Sequence, residues 1–153
     1  MRLNGVRPFG AALVLLATLA HAEVPGQHPY YLHALSDLRA ARWMLPHRRG
    51  DATMSANEEV AIPEINTPIG AIKHAAIDDG ENIEDHPSVD LPPDNRGRLH
   101  KAPELLAKVH ADVAREEDDP VTRGLRDRAV VHIDAASGAT RGAIGAVKQG
   151  RCR

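Results

Sequence analysis

The chain carries one cysteine in 153 residues, Cys152, so no disulfide can close within it. Its stability must come from packing, which a chain of this length can supply. Aromatic residues make up only 3% of the sequence, and Ala, Leu, Arg, Glu and Asp dominate. That composition argues against a β-sandwich or barrel and favours helices. There is no Cys-x-x-Cys-His, which excludes covalently attached haem. No Gly-x-Ser-x-Gly, activated serine or phosphate loop is present. Asp78 to Asn82 resembles the start of a calcium loop, but Ile83 stands where an EF-hand requires its turn glycine.

The N-terminus sets the expected address. Arg2 and Arg7 precede an apolar run from Phe9 to Ala20, and Ala20-His21-Ala22 has the small-x-small form of a cleavage site. Residues 1–22 read as a signal peptide, too short in its apolar part to span a bilayer comfortably. The expected location is periplasmic or secreted. No later run is long enough to cross a membrane after cleavage. The signal holds two of the 19 basic residues and none of the 21 acidic ones, so the remainder has a formal charge of −4. A mildly acidic chain lacks the basic footprint that binding to nucleic acid or to an anionic membrane needs. Residues 23–148 read as one helical domain and 149–153 as a flexible tail.

Four stretches have helical periodicity. In 29–45, Tyr31, Leu35, Leu38 and Leu45 share a face, with Asp37, Arg39 and Arg42 placed on the remainder. In 55–78, Ser55 and Glu58 form a capping box. Ile62, Ile65, Ile69, Ile72 and Ala76 follow as the stripe, and Pro63 and Pro68 should kink or divide the helix. In 98–117 the stripe is Leu99, Ala102, Leu106, Val109 and Val113. Asp119 as N-cap and Pro120 then open a fourth helix over 120–148, with Leu125, Ala129, His132, Ala136, Ala143 and Val147 inward. Its glycines 138, 142 and 145 should weaken the last turns. The short joint between the third and fourth helices makes them antiparallel neighbours. The fold expected is all-α: an up-down bundle of about four helices, with a long acidic loop, 79–97, between helices 2 and 3.

Histidine is the one unusual abundance, with eight beyond residue 22. Imidazoles and carboxylates four apart on a helix can share a face and meet across a bundle as metal ligands. His33 with Asp37, and His74 with Asp78, have that spacing. His132 lies on the inward stripe and His110 flanks another. These six residues are the candidate metal ligands, with zinc or copper as the ions and no other cofactor expected. The competing reading makes them surface pairs and a hydrogen-bonded core histidine.

His28–Arg42 (HPYYLHALSDLRAAR), Ala75–Gly80, Asp85–Pro87, Arg98–Lys101 and His132–Asp134 resemble a group of small exported bacterial proteins. The resemblance spans about 28–136. It implies an all-helical fold and carries no activity or site residue with it. The expected function is that of an exported, non-enzymatic helical protein that acts by binding, with a protein as partner. The alternative is histidine-based binding of a transition metal.

Overall fold

The computed structural model describes residues 29–47, 54–80, 82–84, 89, 97–116 and 124–149. They form four helices: α1 (Pro29–Met44), α2 (Ala56–Asp78), α3 (Arg98–Arg115) and α4 (Leu125–Lys148). No strand occurs among the described residues. The protein is the all-α bundle its periodicity predicts.

α2 opens with the expected capping box. Ser55 Oγ accepts from the Glu58 N–H, and Glu58 Oε2 takes the Ser55 N–H at 2.7 Å. Both prolines lie inside an unbroken helix. Pro68 belongs to the buried face, where its ring is packed, and Pro63 faces solvent. Pro63 therefore lacks its backbone donor without burying a ring in exchange. The inward face of α2 runs Glu58, Ala61, Ile65, Pro68, Ile72, Ala75, rotated from the predicted stripe, so that Ile62 and Ile69 sit at its edge.

α4 begins later than predicted. Gly124 has φ +76°, a left-handed conformation incompatible with a helix running through it, and the helix starts at Leu125. The proposed caps Asp119 and Pro120, and the tail beyond Gln149, lie outside the described residues. Despite its glycines, α4 continues to Lys148. Its buried face is Leu125, Ala129, Ile133, Ala136, Thr140 and Ala143. Ile133 takes the central place predicted for His132, and Val147 is exposed. Thr140 satisfies its hydroxyl on the Ala136 carbonyl.

The core is built from Leu, Ile, Val and Ala, with Tyr31 its one fully buried aromatic. α1 packs beside α2 and α3, and α4 packs beside α2 and α3; the diagonal pairs α1/α4 and α2/α3 bring no Cα atoms within 8 Å among the described residues. Cross-helix pairs give the directions. His33 meets Asp112 and Tyr30 meets Glu116 (α1/α3); His132 meets Glu64 (α4/α2); Glu116 meets Arg126 (α3/α4). Each helix is therefore antiparallel to both of its neighbours. α2 and α3 stand on the diagonal and run the same way, so the 79–97 connection must return along the bundle. The 23 residues of α2 measure about 34 Å, within reach of that connection. On the way Arg39 donates two hydrogen bonds to the Ile83 carbonyl, and Val89 packs on the core.

Two substitutions check this account of the backbone. Pro63→Ala should raise stability by about 1–3 kcal/mol by restoring a helix donor at an exposed position. Gly124→Ala should lower it by about 1 kcal/mol, because an alanine resists the left-handed φ. Thermal melts of the two variants should move in opposite directions.

Candidate metal centre

α1 and α3 meet along a seam that is unusually polar for a core. On α1, Asp37 falls in the inward run Ala34, Asp37, Ala41, Met44, spaced 3, 4 and 3. On α3, Asp112 and Glu116 continue the inward run Leu105, Val109, Asp112, Glu116. All three carboxylates are buried, Asp37 completely. The placement of Asp37 on the outer face of α1 is thus corrected: α1 packs on two helices at once, and its buried arc is wide enough to take the aspartate in.

His33 lies one turn before Asp37 and faces the same seam. Its Nδ1 is 2.6 Å from Asp112 Oδ2, with the two side chains 29% and 12% exposed. One nitrogen or oxygen from each of His33, Asp37 and Asp112 lies within 4.8 Å of the others. This is the sole group of three such donors among the described residues. One turn further along, Glu116 Oε1 accepts the Tyr30 backbone N–H at 2.6 Å. That bond engages an otherwise open donor in the first turn of α1.

A tetrahedral ion with bonds of about 2.0–2.1 Å holds its donors about 3.3 Å apart. The His33–Asp112 contact is shorter than that, and the other separations in the group are at most 4.8 Å. An ion would therefore replace the hydrogen bond, parting His33 and Asp112 by under an ångström and drawing the third donor in by at most about 1.5 Å. Side-chain rotation can supply both movements. Three protein donors leave at least one position for water.

The other predicted ligands are elsewhere. His110 on α3 is 3.6 Å from Asp134 on α4, with both side chains well exposed. His132 on α4 is 2.6 Å from Glu64 on α2, each about one-third exposed, beside an open groove lined by Asp127, Arg128 and Val131. His74 and Asp78 are exposed near the end of α2. The structure thus brings His33 and Asp37 together and adds Asp112, which the sequence reading missed. Its signal was present: an aspartate at an inward position of a regular apolar stripe.

Three histidines thereby reach a carboxylate on another helix, each across a different seam: α1/α3, α3/α4 and α4/α2. Only the first has a second carboxylate in reach of the imidazole's partner. No protein-family model, curated protein or solved structure matches this chain.

Proposed function

We propose that the protein is an exported, non-catalytic helical bundle that binds a divalent transition metal ion across the α1–α3 seam, through His33, Asp37 and Asp112. The observation that carries this reading is the convergence of one imidazole and two buried carboxylates within 4.8 Å. Burying carboxylates away from water is costly, and a cation at their centre offsets that cost. One nitrogen and two oxygen donors suit zinc, copper(II), manganese or iron(II) better than copper(I), which prefers sulfur. The two carboxylates balance the charge of a divalent ion. A signal-like N-terminus would deliver the site to a compartment where such ions are taken up or sequestered.

A second reading rests on the three seam-crossing pairs. In it the histidines are cross-helix struts that orient the helices and hold no ion. The most buried, His33–Asp112, would contribute about 1–3 kcal/mol, and the exposed His110–Asp134 much less.

Elemental analysis and melting curves separate the two. The chain lacking residues 1–22, purified without chelator or affinity tag, should carry close to one zinc or copper ion. Added ion at a hundred times Kd should stabilise it by about 2.7 kcal/mol. His33→Ala and Asp112→Asn should abolish both effects, and His132→Ala should keep them. If no ion binds and no midpoint shifts, the metal reading fails. In that case His33→Ala should still lower the midpoint by several degrees, about 1–3 kcal/mol being lost.

A further inference from the structure

The up, down, down, up course of the helices gathers the end of α1, the start of α2, the start of α3 and the end of α4 at one end of the bundle. Among the described residues, the cations there are Arg42, Arg98 and Lys148, all exposed, and Lys101, half-buried. Arg42, Lys101 and Lys148 form no ion pair among the described residues. Among the described residues the acidic groups at that end are Glu58, buried and bonded to Ser55, exposed Glu59 in the first turn of α2, and half-buried Glu104 one turn below Lys101. The opposite end holds, among the described residues, Asp78 and Asp79 at the close of α2, Glu116 at the close of α3 and Asp127 at the start of α4, balanced by Lys73, Arg115, Arg126 and Arg128. The net negative charge of the chain therefore conceals an end where, over the described residues, four cations face three carboxylates, one of them buried.

Trp43, the single tryptophan of the chain, sits in that cationic end and is 49% exposed. The His47 ring stacks on it with centroids 4.5 Å apart and planes 12° from parallel. The Arg98 guanidinium lies 4.4 Å from its centroid and also donates to the His47 carbonyl. His47 Nδ1 donates to the Trp43 carbonyl at 2.7 Å. Indole, imidazole and guanidinium thus form one rigid unit joining the end of α1 to the start of α3. Half of a large amphipathic ring is left facing outward among cations.

We propose that this end of the bundle docks on an anionic phospholipid surface, with Arg42, Arg98 and Lys101 against the headgroups and the exposed part of Trp43 at the headgroup–acyl boundary. Charge complementarity draws the cations to the surface, and each basic residue near such a surface strengthens binding by about fivefold. A tryptophan among the cations distinguishes a lipid surface from a soluble polyanion, since indole partitions into the interfacial layer. The bundle axes would then stand upright on the membrane. The α1–α3 seam at His33 lies ten residues from Trp43, about 15 Å along α1, so docking leaves it clear of the surface. Docking does not depend on that seam holding an ion.

The chain without residues 1–22 retains all four helices and the whole described core, and it is the species to use. It would be sedimented with vesicles of equal phosphatidylglycerol and phosphatidylcholine, and with vesicles of phosphatidylcholine alone, while Trp43 emission is recorded. Binding is expected only to the anionic vesicles, with a blue shift of emission and marked weakening between 50 and 500 mM salt. Arg42→Glu with Lys101→Glu should weaken it at least 25-fold, about fivefold for each cation lost. Lys73→Glu, a single charge reversal toward the opposite end of the bundle, should leave it largely intact where either Arg42→Glu or Lys101→Glu alone weakens it about fivefold. Failure to bind anionic vesicles, equal binding by the doubly reversed variant, or binding with unchanged emission would each overturn the proposal. Equal affinity for soluble polyphosphate would also overturn it, by showing a general polyanion site. Concentration-dependent self-association without lipid, lost in the same double variant, would assign the cationic end to a second copy of the chain instead.

Discussion

The seam between α1 and α3 determines the rest of the bundle. It joins residues 79 positions apart in sequence, His33 and Asp112, and it is held at both ends as well as in the middle. Tyr30 and Glu116 tie one end, and Trp43, His47 and Arg98 tie the other. These contacts fix α3 antiparallel to α1. With α4 antiparallel to α3, and α2 to α4, α2 and α3 must share a direction on the diagonal. The return of the 79–97 connection along the bundle is a consequence of that geometry.

Burying polar groups on this seam is the principal departure from a simple apolar core. Asp37, Asp112 and Glu116 occupy positions where the apolar stripe would place leucine or alanine. Replacing a buried ionic cluster by well-packed apolar residues is often neutral or stabilising. Packing alone therefore does not account for three carboxylates and an imidazole on one seam, whether the purpose is an ion or the pairing of α1 with α3 and no other helix. The α2/α4 contact solves the same problem with small groups. Gly142 lets Asn57 approach to within 3.1 Å of where a side chain would begin, and Thr140 bonds within its own helix.

Helix number, most boundaries and the capping box of α2 were legible because they rest on local periodicity and local chemistry. Every position of the α3 stripe Leu99, Ala102, Leu106, Val109 and Val113 is buried as expected, and Leu105 and Asp112 widen that face. Errors arose where local signals were ambiguous. Ile62 and Ile69 are larger than Ala61 and Pro68 and drew the α2 stripe toward one edge of the buried face, while Ile65, Ile72 and Ala76 were placed correctly. Nothing before Gly124 in sequence reveals its left-handed φ, so α4 was started too early. His33 and Asp37 were found because they lie on one helix. Asp112 could not be placed beside them without the packing of α1 on α3, which no local pattern encodes. The cationic end was hidden for a similar reason: net charge averages over a surface that only the three-dimensional path divides.

The diagonal placement of α2 and α3 bears on how the chain assembles. α1 and α2 appear first from the ribosome or a translocation pore, and they touch each other, but the larger share of what each buries is formed with a helix from the second half of the chain. A hairpin with one side of both helices uncovered cannot bury enough surface to hold its shape. Closing the long loop between His33 and Asp112 costs entropy before any contact on that seam repays it. The contacts that offset that cost become available only once α3 and α4 are present. Truncation anywhere before α4 would leave apolar faces uncovered and a chain open to proteases.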